Sequence, residues 1–155
     1  MSKINITGIV LAGGKSSRMG TDKGMMMLNG KRFIDHIFNA LVPVVDTVMI
    51  IANNDNYHRF NYPVYEDIIK DCGPMGGIYT GLVKSQTEKN IVVSCDIPFI
   101  TTDTLSYIIS RIDNSDIIIP EHEGKLEPLC AIYKKNVRKN LGNYLKRENG
   151  KCKKP

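Results

Sequence analysis

The sequence has no apolar run approaching the roughly 20 residues that a membrane-spanning helix needs. Its N-terminus does not follow the charged, then apolar, then small-residue order of a secretory signal. A cytoplasmic protein is therefore expected, with no membrane partner. Cysteine is sparse: Cys72, Cys95, Cys130 and Cys152 lie far apart and form no C-x-x-C, which argues against a zinc site and for reduced thiols. The three histidines include no pair at metal-ligand spacing. His36 falls in a helical pattern, His58 in a polar loop and His122 in a hairpin tip, so none is assigned chemistry. Two common phosphate-binding fingerprints are also missing. A P-loop ending at Gly14-Lys15-Ser16 would need glycine at position 9, where Ile9 stands, and Gly8 is one residue too far back. A dinucleotide fingerprint needs two glycines one residue apart, and the glycine-rich segment 11–24 has none.

What is present fits one globular domain. The chain has 155 residues, 42% of them apolar and 24% charged, and this length buries about two thirds of the surface exposed when unfolded. The net charge of +5 conceals an asymmetry: from Lys134 to Pro155 nine Lys or Arg stand against one Glu. A basic tail suits an anionic substrate or nucleic acid. No aromatic–basic interleaving or nucleic-acid motif accompanies it, so it reads as a solvated helix face with a frayed terminus.

Apolar β-branched runs alternate with helix-period segments. Ile6–Ala12, Thr47–Ala52, Ile91–Cys95 and Asp116–Pro120 read as buried strands. Helical spacing appears in Phe33, Ile34, Ile37, Phe38, Leu41 and Val42, then in Ile78, Leu82 and Val83 after a glycine cluster. It recurs in Leu105, Ile108, Ile109 and Ile112, and last in Val137, Leu141, Tyr144 and Leu145. Thr101, Thr102 and Asp103 all offer an N-cap for the third helix. Met25–Met27 reads as a short strand entering an Asn29-Gly30 turn, and Glu121–Glu127 as a hairpin tip. Strands alternating with helices predict an α/β fold: a three-layer, Rossmann-like arrangement around a mostly parallel sheet. Ligands of such sheets sit beyond the carboxyl ends of the strands. Leu11–Lys23, Glu66–Gly77 and Cys95–Phe99 all fall at such ends and should converge.

The first of these segments, LAGGKSSRMGTDKG, packs four glycines and three cations into fourteen residues. Glycines 13 and 14 let the backbone approach a phosphate with its N–H groups exposed. Lys15, Arg18 and Lys23 supply positive charge suited to phosphate. Asp96 follows an apolar strand and precedes Ile97-Pro98, so it should face the crevice, where a carboxylate suits Mg²⁺. Asp67 ends Val64-Tyr65-Glu66-Asp67, and Gly73–Gly77 opens a helix.

Leu11-Ala12-Gly13-Gly14, Arg18-Met19-Gly20, Asp22-Lys23, Gly73-Pro74-Met75-Gly76-Gly77, Cys95-Asp96-Ile97-Pro98 and Glu127-Pro128-Leu129 together resemble the MobA-related nucleotidyltransferases of molybdenum cofactor biosynthesis. The resemblance runs from about Ile6 to Tyr133. It implies that Leu11, Ala12, Gly13, Gly14, Lys23, Asp67 and Asp96 bind nucleotide. It further implies that Lys23, Asp96 and Arg18 carry catalysis and that Asp96 holds the metal. The implied reaction moves GMP from Mg·GTP to the phosphate of molybdopterin or Mo-molybdopterin, with cofactor-delivery or acceptor proteins as possible partners. The same scaffold also serves cytidylyl- and sugar-phosphate nucleotidyltransferases, and a nucleotide-binding relative without turnover is a third reading. Two departures stand out. Ile51 occupies the position of the family's second-strand asparagine, with Asn53 two residues on. An N-x-N-T-P-like segment is also absent. The expectation is a single nucleotidyltransferase domain, residues 1–155, lacking the family's usual C-terminal segment and binding Mg·GTP with weak transfer.

Overall fold

The computed structural model describes residues 5–12 and 22–152, with side chains as far as Glu148. Its main sheet is built from β1 (Ile6–Leu11), β4 (Thr47–Ile51), β5 (Val64–Tyr65), β6 (Lys89–Ser94), β7 (Ile117–Ile118) and β10 (Cys130–Lys134). Two short hairpins stand apart from it, β2 (Met27–Leu28) with β3 (Lys31–Arg32), and β8 (Glu121–His122) with β9 (Lys125–Leu126). The helices are α1 (Phe33–Leu41), α2 (Gly73–Lys84), α3 (Thr102–Ser110) and α4 (Val137–Cys152).

The sheet order is β5-β4-β1-β6-β10-β7. The first four strands are parallel, and β10 runs antiparallel to both its neighbours. This is the expected α/β architecture with a mostly parallel sheet. Strands β1 and β6 are central and covered on both faces, which explains their near-continuous apolar sequences. Side chains alternate between two cores. Ile6 and Val10 join Ile34, Ile37 and Leu41 of α1 and Leu105 and Ile108 of α3 on one face. Ile9 joins Ile78 and Leu82 of α2 on the other, with Val137 and Leu141 of α4 packed against them. Two glycines permit this approach: a Cβ at Gly8 would lie 2.7 Å from Leu41 Cδ2, and one at Gly81 would lie 2.6 Å from Ile9 Cγ2.

Three local expectations resolve differently from one another. Thr101 is the residue that caps α3, its hydroxyl accepting from the Thr104 N–H at 3.2 Å. The Glu121–Glu127 tip is a hairpin whose turn residues Glu123 and Gly124 have φ of 51° and 78°. The Asp116–Pro120 strand shrinks to Ile117–Ile118 and is not buried, because it is a sheet edge bonded only to β10. The methionine strand is also corrected. Met25 closes a 3₁₀ turn, Lys23–Met25, and pairing starts only at Met27, before the left-handed Asn29-Gly30 turn. Among the described residues no helix is long and apolar enough to cross a membrane.

Candidate active site

Parallel strands put their carboxyl ends on one edge, and the register fixes which residues meet there. Leu11 is level with Ile51 of β4 and Ser94 of β6, and Ile51 is level with Tyr65 of β5. The ladder continues one residue further: Ala12 N–H donates to Ile51 O at 2.9 Å, Ala52 N–H to Tyr65 O at 3.0 Å and Cys95 N–H to Leu11 O at 3.0 Å. From β1 the chain moves outward to β4 and β5, then returns to β6 on the other side of β1. This reversal is the position at which α/β sheets open a crevice. Leu11, Ala12, Asp67 and Asp96 therefore lie along one edge of the sheet, where their places at strand ends put them.

Asp67 is clamped. Asn53 Nδ2 donates to Asp67 Oδ2 at 3.0 Å, and the Asp67 N–H donates back to Asn53 Oδ1 at 2.9 Å. Lys70 Nζ donates to the same amide oxygen at 3.3 Å. The carboxyl group lies over the first turn of α2, where a Cβ at Gly76 or Gly77 would come within 3.8 Å of it. Gly77 also lets α2 close on Leu11, whose Cδ2 would be 2.9 Å from a Cβ there. Ile51 is 2% exposed and belongs to the core. The asparagine that meets Asp67 is Asn53.

Asp96 is different. It is exposed, just beyond β6, and Ser94 Oγ donates to its Oδ1 at 2.7 Å. The flanking Ser94 and Cys95 are buried, so the strand end is rigid while the carboxylate reaches solvent. Among the described residues no group of three or more His, Cys, Asp or Glu is gathered as a metal cage. A lone carboxylate at a strand end fits Mg²⁺, which keeps waters and takes its remaining ligands from substrate phosphates.

Lys23 is exposed and begins the 3₁₀ turn. Gly13, Gly14, Lys15 and Arg18 lie outside the described residues. Sequence reasoning missed the part played by Asp22. Its carboxylate accepts from the Tyr57 hydroxyl at Oδ1, and from Asn54 Nδ2 at 3.3 Å and Asn56 Nδ2 at 3.2 Å at Oδ2. Two signals could have revealed it: one acid closing a basic motif, and one aromatic, Tyr57, within the polar run NNDNYHR.

The chain matches the MobA-like NTP transferase domain family over residues 8–153. It belongs to that family. A probable molybdenum cofactor guanylyltransferase from Flavobacterium johnsoniae is 40% identical over 133 residues, covering 85% of this chain and 70% of that protein. The molybdenum cofactor guanylyltransferase of Vibrio campbellii is 38% identical over 148 residues, covering 92% of this chain and 75% of its own length. Molybdopterin-guanine dinucleotide biosynthesis protein A from Archaeoglobus fulgidus superposes with a TM-score of 0.75 at 23% identity, covering 92% of this chain and 74% of that one. At that identity the structural likeness speaks for the fold, which this MobA-like chain shares.

Proposed function

We infer that this MobA-like chain is a molybdenum cofactor guanylyltransferase, moving GMP from Mg·GTP to the phosphate of a molybdopterin-type acceptor and releasing pyrophosphate. The observation that carries the reading is that Leu11-Ala12, Asp67 and Asp96 follow strand ends on one sheet edge, at the strand-order reversal, in a chain whose relatives bear that name.

The chemistry needs no protein nucleophile. An acceptor phosphate oxygen attacks the α-phosphorus of GTP, a new phosphorus–oxygen bond forms, and the bond to the β-phosphate oxygen breaks with pyrophosphate taking the electron pair. The protein's work is alignment and charge neutralisation. Leu11, Ala12, Gly13 and Gly14 receive the nucleotide along the backbone. Asp67, held by Asn53, orients it from the β5 side. Lys23 and Arg18 neutralise the phosphates and the leaving pyrophosphate. Asp96 would hold Mg²⁺, which when bound offsets negative charge on the phosphates. Titrating the protein calorimetrically with GTP, CTP, ATP and UTP, then assaying pyrophosphate release with acceptor present, tests the reading. Preference for GTP and acceptor-dependent release are expected. Preference for CTP would assign a cytidylyl reaction, and GTP binding with no acceptor-dependent release would assign a binding protein.

A further inference from the structure

Asp22 stands at the N-cap of the Lys23–Met25 turn, yet its side chain makes no capping bond there. The turn is closed by backbone alone, with Met25 N–H donating to Asp22 O at 3.0 Å. The carboxylate instead turns to the β4–β5 connection and collects the three donors of Tyr57, Asn54 and Asn56. These donors are organised in advance. Asn54 Oδ1 caps the following 3₁₀ turn by accepting the Asn56 N–H at 2.9 Å. Tyr57 is 0% exposed, and its ring packs against Phe60, which in turn meets Phe38 of α1. Burial, with Asp22 beside it, pushes the Tyr57 phenol far above its ordinary pKa, so it stays a proton donor. Gly24 sits directly on that hydroxyl: a Cβ there would be 2.3 Å from Tyr57 Oη. The backbone on both sides of Lys23 is thus pinned, by Asp22 before it and Gly24 after it.

We propose that Asp22 is a positioning residue whose carboxylate, held by Tyr57, Asn54 and Asn56, fixes Lys23 against the β- and γ-phosphates of bound nucleotide. This rests on the nucleotide reading above. The three bonds hold the backbone on which the lysine is carried, so their value in binding is delivered through the lysine. A clasp that merely stabilised the fold would act on every nucleotide alike.

A double-mutant cycle separates the two. GTP and GMP affinities are measured for the wild type, Asp22→Asn, Tyr57→Phe, Lys23→Ala and each double variant with Lys23→Ala. Asp22→Asn is expected to weaken GTP about tenfold more than GMP, the size of losing a bond to a charged group. In the Lys23→Ala background that extra loss should fall to about twofold or less. Should Asp22→Asn fail to fold, Tyr57→Phe removes one of the three bonds and runs the same cycle. Equal losses for GTP and GMP, or losses undiminished without Lys23, would overturn the tether while leaving nucleotide binding intact. Equal losses of GTP and GMP in Lys23→Ala alone would remove the lysine's role and the tether with it. A folded wild-type chain that bound no GTP would overturn the functional reading itself.

Discussion

The two sides of the strand-end cluster hold their carboxylates differently. On the β4–β5 side, Asp22 accepts from Tyr57, Asn54 and Asn56 over its two oxygens, and Asp67 is held by a reciprocal pair, its carboxylate accepting from Asn53 Nδ2 while its N–H donates to Asn53 Oδ1. On the β6 side, Asp96 is exposed and takes a hydroxyl from Ser94 on one oxygen. The Asp22 carboxylate, with three fixed donors, has little capacity left for a cation and serves geometry, while Asp67 is fixed in place through both backbone and side chain. A carboxylate at a rigid strand end with acceptor capacity to spare suits a cation. We propose a division of labour in which the β4–β5 side positions and the β6 side, through Asp96, would meet the metal.

The largest expected effect breaks the β6 side. Asp96→Asn should lower transfer by about 10² or more, roughly 3 kcal/mol of lost charge stabilisation, with the thermal midpoint unchanged because the side chain is exposed. Activity within about tenfold of wild type at saturating Mg²⁺ would remove Asp96 from this role.

Next, Gly24→Ala attacks the positioning side from beneath. Its methyl would meet Tyr57 Oη at 2.3 Å, and overpacking against a fully buried ring costs about 1–3 kcal/mol. Denaturant melts should show that loss, whereas Gly30→Ala meets nothing within 4 Å and tests only its left-handed φ.

The β6 side also holds a buried thiol. Burial, and then the Glu127 charge, push Cys130 up to about 11 from 9.0. Above pH 9 the unfolded thiol loses its proton while the folded one keeps it, so stability falls as pH rises, by about 1.4 kcal/mol per unit until about pH 11. Tyr133, pushed up by burial to about 12 from 10.0, adds a similar loss above pH 10. Cys130→Ala should flatten the stability profile between pH 9 and 10 and leave the decline above pH 10. An unchanged profile would show that the thiol does not titrate as its burial requires.

The smallest effect sharpens the comparison. Asn53→Ala releases Asp67 in a solvated place, so GTP affinity should fall about fivefold, near 1 kcal/mol. Its dependence on Mg²⁺ should stay as in the wild type.

The sheet and the convergence of its strand ends were legible because burial on both faces writes β1 and β6 as apolar runs and amphipathic helices separate them. Asp96 stood out as the carboxylate just beyond the apolar β6 run, whereas Asp67 follows only the short Val64-Tyr65-Glu66 stretch and was singled out by the family resemblance. The edge strand β7 was misjudged, since Ile117 and Ile118 read as buried although pairing on one side leaves them half-covered. The Asp22 cluster was not legible: its partners lie 32 to 35 residues away in a polar loop with no periodicity. Asn53 was noticed only as a displaced residue, because its reciprocal bond to Asp67 depends on how far β4 and β5 extend together.

The most direct test of this division is the Mg²⁺ dependence of GTP affinity, measured by calorimetry on wild type, Asp67→Asn and Asp96→Asn. The account predicts that Asp67→Asn binds GTP more weakly yet still gains affinity as Mg²⁺ is added, while Asp96→Asn loses that gain. A Mg²⁺ response kept by Asp96→Asn and lost by Asp67→Asn would contradict it.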